Sequence, residues 1–251
     1  MSPNHGQNDH ATPVKMRQGA YLPHWTRGDA IYSVTFRLGD SLPRSVVDDW
    51  IAEREDIIRT ARRMNQPLSE DEERRLQCLF SEKVDKCMDT GHGACWMKEE
   101  NVARIVTEAL RHFDGQRYRL FAWCVMPNHV HLVVQPLPGY ELPDIVHAWK
   151  SYVAHRANKV LKRKGSFWQP EYYDHLIRDE SDLAHAIEYV LGNPEKAGLE
   201  GWRWVGSGMA FQAMHGQDAR ATSIKMRRAS RFPRLLLSFT PKGANRNKSG
   251  Y

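Results

Sequence analysis

The sequence predicts an α+β domain with a ferredoxin-like β-α-β-β-α-β antiparallel sheet, to which a helical insert and one C-terminal helix are added. Short segments rich in β-branched and aromatic residues alternate along the chain with longer amphipathic segments. When the acidic segment 43–98 is left out, the segment order is strand, helix, strand, strand, helix, strand, helix. This is the ferredoxin-like order with one helix added.

The chain divides into three parts by composition. Residues 1–20 are polar and are expected to form a disordered lead. Residues 21–207 are expected to form the main domain, with 43–98 as a helical insert within it. Residues 208–251 are basic with weak periodicity, so a disordered tail is expected there.

The first half of the domain begins with a strand and continues with helices. Residues 30–38 alternate and are rich in β-branched and aromatic residues, which predicts a strand. Apolar residues at helical spacing predict a helix over 45–64, which Pro67 separates from a second helix beginning at Ser69. A third helix is predicted over 99–115.

The second half supplies the remaining strands and helices of the plan. Two strands, a basic amphipathic helix, a short strand and a last helix are predicted at 117–125, 129–136, 141–165, 172–178 and 181–193. Pro194 is expected to end the last helix, because proline lacks the backbone N–H that a helix interior needs.

Bulk composition places the chain in a broad class. At 251 residues it is long enough for one sizeable domain with appendages. The chain contains no apolar run of about 18 residues, so the sequence predicts no membrane span. The N-terminal segment has no apolar core like that of a secretory signal. Four cysteines at irregular spacing do not predict a disulfide framework. A cytoplasmic protein is therefore expected.

Positive charge is concentrated in two places. The formal net charge is +6, yet the segment from Gly216 onward alone holds nine Lys or Arg and one Asp. A second basic stretch follows the predicted strand 129–136 and could contact DNA phosphates, although a solvated helix face explains it equally well. Its candidate DNA-binding residues are Lys150, Arg156, Lys159, Arg163 and Lys164. Trp168 could stack on an unpaired base or pack in the core, and His175 is a further candidate DNA-binding residue.

His129 and His131 begin the predicted strand 129–136. Residues i and i+2 of a strand face the same side, so both imidazoles should project from one face and Val130 from the other. Such a pair is either part of a metal site or a hydrogen-bonded structural pair.

Tyr189 and Asn193 are four residues apart in the last predicted helix. That spacing places two side chains on one helix face. Asn193 precedes Pro194, so it is expected at a frayed helix end with its amide oxygen available as a third metal ligand. The other interpretation is a packed aromatic beside an ordinary helix-ending Asn-Pro.

Three motifs distinguish the metal-site interpretation from the structural one. In chain order they are "WCVMPNHVHLVVQP", "KGSFWQPEYYDHLIRD" and "AIEYVLGNPEKAGL". Together they resemble the REP-associated tyrosine transposases, single-tyrosine members of the HUH nuclease superfamily. The resemblance runs from about Gly19 to Trp204. It implies a divalent cation, Mg²⁺ or Mn²⁺, bound by His129 and His131.

The same resemblance implies that Tyr189 is the nucleophile and that Asn193 is the third metal ligand. It also implies metal-dependent cleavage and rejoining of single-stranded DNA with hairpins from repetitive palindromic elements, through a 5′-phosphotyrosine. Such a substrate would associate the protein with the nucleoid. A homodimer and a monomer both remain open. His175 is the candidate neighbour that would favour the Tyr189 phenolate, and a structural role for it is equally compatible.

Other functional classes remain open from the residues alone. A nucleic-acid-binding protein could keep this fold without catalysis, and a metal-dependent hydrolase of small phosphoesters would make Tyr189 incidental. Cys87, His92 and Cys95 could contribute to a zinc site, but their spacing is irregular.

Overall fold

The computed structural model describes residues 15–18, 23–26, 30–63 and 85–211. Its strands are β1 Lys15–Gln18, β2 Pro23–Thr26, β3 Tyr32–Arg37, β4 Tyr118–Val125, β5 His129–Pro136, β6 Tyr173–Leu176 and β7 Val205–Ser207. Its helices are α1 Arg44–Arg63, α2 Asp85–Asp89, α3 Glu100–His112, α4 Leu142–Val160 and α5 Glu180–Lys196, with a 3-10 helix at Trp96–Lys98.

Strands β3 to β7 form one antiparallel sheet in the order β6-β3-β5-β4-β7. The first and third strands of the β-α-β-β-α-β unit, β3 and β5, therefore lie side by side in the centre. This arrangement confirms the ferredoxin-like prediction. The edge strand β7, which pairs with β4, was not predicted because its three residues give almost no periodic signal.

The two faces of the sheet are covered by different helices. Val130 and Leu132 of β5 face a core cluster that includes α3 and α4. Val133 faces the opposite cluster, which includes Ile187 and Val190 of α5. The alternation of β5 therefore sends successive side chains to α3 and α4 on one side and to α5 on the other.

Strand β4 contains a β-bulge that brings an extra side chain to the α5 face. Its register with β5 shifts between Leu120 and Ala122. As a result Phe121 and Ala122, although adjacent in sequence, both lie in the α5-side cluster. A simple two-residue alternation could not predict this shift.

The insert packs against the domain through a small separate cluster. Leu42 and Met88 are its buried members, and Val47, Cys87 and Tyr173 pack against them. The helix predicted from Ser69 lies outside the described residues, apart from its end, which corresponds to α2.

The chain ends of the domain differ from the expected limits. Lys15–Gln18, within the lead expected to be disordered, pairs with β2 in a two-stranded sheet. At the other end, Phe211 is buried in the α5-side cluster, so the first residues of the predicted tail pack on the domain. Residues 1–14 and 212–251 lie outside the described residues.

Pro194 does not end the last helix, which is a correction to the prediction. Helix α5 continues to Lys196, with Asp179 as its N-cap. A proline in the final turn removes only one helical hydrogen bond, and Ala197 N–H still donates to the Asn193 carbonyl at 3.0 Å. Asn193 and Pro194 are both buried, so packing stabilises the extra turn. Asn193 is therefore inside the helix and not at a frayed end.

No helix in the described part of the chain is both long and apolar enough to cross a bilayer.

The loop that follows α2 gives a prediction about stability. Gly93 has φ +86°, and a Cβ atom there would lie 2.4 Å from the Asp40 carbonyl oxygen. Gly139 has almost the same φ, +87°, but nothing lies within 4 Å of its Cβ position. Gly139→Ala should lower the free energy of unfolding by about 1 kcal/mol, the cost of a left-handed alanine. Gly93→Ala should lower it by about 1–3 kcal/mol more, because of backbone overlap.

Urea denaturation of the two variants measures this difference. Equal losses of stability would show that the loop does not approach Asp40 as closely as the structure has it.

Candidate active site

His129 and His131 lie on the α5 face of the sheet, as the alternation of the strand predicts. Their side chains are 0% and 2% exposed, and the ring centroids are 4.5 Å apart. Across the sheet, Thr35 of β3 pairs with His131 in register. Both imidazoles are therefore held by the centre of the sheet, where the backbone on each side is paired.

Asn128 determines which nitrogen of His129 carries the proton. Its amide NH₂ group donates to the carbonyls of Met88 and His92, both at 3.0 Å. Its Oδ1 lies 2.7 Å from His129 Nδ1. Because an amide oxygen only accepts, Nδ1 of His129 must be the protonated nitrogen and Nε2 carries the lone pair.

Thr35 holds the second ring. Its hydroxyl lies 2.8 Å from Nδ1 of His131. Each imidazole is thus hydrogen-bonded through Nδ1. Neither Nε2 atom has a hydrogen-bond partner among the described residues, although both atoms are buried.

Helix α5 carries the other two predicted residues on the same side of the sheet. The ring of Tyr189 lies 5.3 Å from that of His131, centroid to centroid, in an edge-to-face arrangement. Asn193, one turn further along α5, is 1% exposed, and its Oδ1 atom is buried. The sequence-predicted residues His129, His131, Tyr189 and Asn193 therefore share one side of the sheet and include a direct ring contact.

Buried side-chain atoms without a partner fit a bound cation. His129 Nε2, His131 Nε2 and Asn193 Oδ1 have no hydrogen-bond partner within the described ranges, and the same is true of Asp89 Oδ1. A buried acceptor without a partner costs about 1–3 kcal/mol, and lone pairs on imidazole nitrogen and carbonyl or carboxylate oxygen are ligands for divalent metals.

The candidate cation site depends on the Asn193 amide. In the described part of the chain, no three His, Cys, Asp or Glu side chains are arranged to hold a metal ion. Cys87, His92 and Cys95, the residues considered for a zinc site, are therefore not arranged to hold a metal ion. The Cys95 thiol instead donates to the Gly91 carbonyl at 3.1 Å.

Electrostatics favour metal-binding forms of both histidines. Burial lowers the pKa of His129 well below its usual value, and burial, with Lys196, lowers the pKa of His131 to about 3. Both rings are therefore neutral, the form that binds metals. Burial raises the pKa of Asp89 to about 6, although Lys196 opposes the shift. Since His129 is neutral, its 3.8 Å approach to Asp89 is not an ion pair.

Lys196 is the cation next to the candidate nucleophile. Its Nζ atom lies 4.7 Å from the centroid of the Tyr189 ring. His175 is instead paired with Asp182 in the first turn of α5, at 3.2 Å. Sequence reasoning did not single out Lys196, which is the residue that the structure places over the phenol ring of Tyr189.

The basic helix does not share the site's face of the sheet. Helix α4 packs on the side opposite α5. Lys150 donates to the carbonyls of Gln169 and Pro170 at 2.7 and 2.6 Å, and burial lowers its pKa to about 8. Trp168 is buried and donates to the Lys150 carbonyl. These two residues therefore connect α4 to the loop before β6.

The remaining basic residues of this stretch are more accessible. Arg156, Lys159 and Lys164 are exposed. Arg163 is half-buried, donates to the Ser166 carbonyl at 3.1 Å, and lies near the Trp96 and Phe167 rings.

Sequence reasoning assigned no role to Thr35, Asp89 or Asn128. Asn128 directly precedes the histidine pair, so its position was a usable signal. Thr35 and Asp89 are distant from the pair in sequence, and only strand pairing and the path of the insert bring them near.

Comparisons with known proteins agree with the motifs. Residues 96–193 match the family described as "Transposase IS200 like". The chain is 30% identical over 103 residues to the REP-associated tyrosine transposase of Escherichia coli K12, a match that covers 41% of this chain and 58% of that protein. It is 36% identical over 78 residues to the ISDra2 transposase TnpA of Deinococcus radiodurans, which covers 29% of this chain and 55% of that protein.

A solved structure of a REP-associated tyrosine transposase bound to a REP hairpin covers 75% of this chain at 16% identity, with a TM-score of 0.39. The sequence matches cover 58% of the Escherichia coli protein and 55% of the Deinococcus radiodurans protein, so the chain spans little more than half the length of these two curated relatives. The resemblance to the REP-associated tyrosine transposases is confirmed by the family and sequence matches.

The hydrogen bonds of Asn128 give a prediction about stability. Asn128→Ala removes the donor to the Met88 and His92 carbonyls and the acceptor for His129 Nδ1. It should lower the free energy of unfolding by about 2–4 kcal/mol, since buried groups lose their partners. Asn158→Ala, which removes one exposed hydrogen bond to Gly165, should cost less than about 1 kcal/mol.

Chemical denaturation of both variants measures these losses. If Asn128→Ala were no more destabilising than Asn158→Ala, Asn128 would not connect the insert to the histidine strand.

Proposed function

We propose that this protein is a metal-dependent single-stranded DNA endonuclease and strand transferase that acts through a phosphotyrosine on Tyr189. Tyr189 lies on the same face of the sheet as the buried His129 Nε2, His131 Nε2 and Asn193 Oδ1 atoms, which have no partner among the described residues, and this supports the proposal most directly. The match of residues 96–193, which contain all four, to IS200-like transposases agrees with it.

Tyr189 carries the covalent chemistry in this proposal. Its phenolic oxygen attacks the scissile phosphorus, the bond between phosphorus and the 3′ oxygen breaks, and the 3′ oxygen leaves as a hydroxyl. The 5′ phosphate remains esterified to Tyr189. A second 3′-hydroxyl then attacks the same phosphorus, which restores a phosphodiester and releases the tyrosine. One bond is formed and one broken in each step, so no ATP is needed.

His129, His131 and Asn193 would hold a divalent cation, Mg²⁺ or Mn²⁺, through their Nε2 and Oδ1 atoms. When bound, such an ion polarises a nonbridging phosphate oxygen and stabilises the charge that develops on it. Asn128 and Thr35 keep the two rings oriented by binding each Nδ1.

Lys196 would promote ionisation of the nucleophile. The ordinary pKa of tyrosine is about 10, so little phenolate exists at neutral pH. A nearby positive charge favours the charged form of an acid. The ammonium group of Lys196, 4.7 Å from the Tyr189 ring centroid, can supply that charge.

The substrate in this proposal is single-stranded DNA with hairpins from repetitive palindromic elements, which places the protein at the nucleoid in the cytoplasm. Arg156, Lys159, Arg163 and Lys164 would bind phosphates of the hairpin at a distance from the scissile bond, because α4 lies on the other face of the sheet. Lys150, Trp168 and His175 would contribute by shaping the adjoining loops. A homodimer would place two such sites on one DNA.

A covalent adduct tests the nucleophile. Incubation with labelled hairpin-bearing single-stranded DNA and Mn²⁺ should give a denaturant-resistant protein–DNA species. Tyr189→Phe should reduce its formation at least about 10³-fold, because the attacking oxygen is lost. DNA binding should stay within about twofold, since only one hydroxyl is removed. Tyr152→Phe, an exposed tyrosine on α4, is the matched control and should form the adduct normally.

The same assay separates the other functions. A gel shift without any adduct from the unsubstituted protein would indicate a DNA-binding protein without catalysis. Cleavage without an adduct would indicate a hydrolase. An adduct with Tyr189→Phe would place the nucleophile at another residue.

Metal dependence tests the histidines separately. His131→Ala should raise the Mn²⁺ concentration that gives half-maximal cleavage at least about tenfold, because a ligand is lost. His147→Ala, on the exposed surface of α4, should leave that concentration unchanged. Superimposable Mn²⁺ titrations of the two variants would contradict the cation site.

A further inference from the structure

A cavity of about 760 Å³ opens between the C-terminal half of α3 and the N-terminal half of α4. These two helices cover the side of the sheet opposite α5. The lining is mainly apolar and includes Ala109, Phe113, Ile145, Ala148 and Trp149. Sites that hold small molecules have volumes of about 300–1,000 Å³, so this cavity can take several apolar side chains.

Large apolar side chains are left exposed around the cavity. In the described part of the chain four such side chains are exposed, and three of them line the cavity. They are Tyr140, Tyr152 and Met209, which are 42%, 46% and 53% exposed. Apolar side chains that are gathered at a concave site mark a docking surface for another apolar group.

The end of the chain contains a segment of matching character. Beyond Phe211 the densest apolar run is "FPRLLLSF", residues 232–239, in which five of the eight residues are large and apolar. Burial of apolar surface is favourable, so this run is stabilised wherever it finds an apolar partner surface.

The last described residues put the cavity within reach of this segment. Met209 lines the cavity, and Phe211 is the last described residue. Twenty residues, 212–231, separate Phe211 from Phe232. An extended chain of that length spans up to about 70 Å, whereas a domain of this size has a radius of gyration of only about 16 Å. The covalent link also gives the segment an effective concentration on the order of millimolar at the cavity, which favours it over a second copy of the chain.

We propose that the apolar segment 232–239 docks in this cavity of its own chain and covers Tyr140, Tyr152 and Met209. The cavity lies on the α3 and α4 side of the sheet, whereas Tyr189 packs on the α5 side. Docking of the segment is therefore independent of the chemistry proposed for Tyr189.

Hydroxyl-radical footprinting of the full-length protein, followed by mass spectrometry, measures the accessibility of the covered side chains. L235S, L236S and L237S, introduced together, should raise the labelling rates of Tyr152 and Met209 at least about threefold, because the apolar cover is lost.

Two controls separate loss of docking from a general change in the protein. K242S, R246S and K248S, introduced together, place three serines in the same part of the chain but outside the apolar run, and should leave the labelling rates unchanged. Val160, the fourth exposed apolar side chain, does not line the cavity and should be labelled equally in all three proteins.

Three results would overturn the inference. The first is equal labelling of Tyr152 and Met209 in the unsubstituted protein and the triple leucine variant. The second is protection that increases with protein concentration, which would indicate a second copy, because docking within one chain is independent of concentration. The third is protection that appears only after hairpin DNA is added, which would indicate a nucleic-acid site.

Discussion

The burial of two imidazoles at alternate positions of a central strand is the constraint on which the rest of the site depends. Each ring has two nitrogens, and the described residues supply a hydrogen-bond partner for only one of them, Nδ1. Burial keeps both rings neutral. Both Nε2 atoms are left without a hydrogen-bond partner in the described part of the chain, which is why the proposed function assigns them to a divalent cation.

The fold separates structural and chemical roles between the two faces of the sheet. Helices α3 and α4 bury the larger apolar cluster on one face, where Tyr118 and Trp149 also share a hydrogen bond. Helix α5 covers the other face, where the Tyr189 ring contacts that of His131 and Asn193 is buried one turn further along the helix. The site is thus built on a paired strand and a packed helix, which hold its side chains more rigidly than loops would.

Much of the fold could be predicted, because its signals are local. The alternation in β5 predicted both the strand and the common face of His129 and His131, and helical spacing predicted that Tyr189 and Asn193 share a face. Pro194 was interpreted too strongly, since a proline near a helix end loses only one hydrogen bond. The extra residue of β4 at Phe121 has no counterpart in a two-residue pattern.

Other parts of the site could not be predicted, because they depend on contacts between distant segments. Asp89 reaches His129 only because Asn128 binds the end of the insert, and Thr35 reaches His131 only through the pairing of β3 with β5. The basic and aromatic composition of this stretch made Lys150 and Trp168 candidates for DNA contact. Composition alone could not predict that Lys150 donates to the Gln169 carbonyl and Trp168 to the Lys150 carbonyl.

Anomalous scattering from crystals of the protein grown with Mn²⁺ tests the central claim most directly, because it locates the ion without reference to activity. The account predicts one strong peak within about 2.0–2.3 Å of Nε2 of both His129 and His131, on the side of the sheet that α5 covers. Crystals that contain Mn²⁺ but show no peak between the two imidazoles and Asn193 would contradict it.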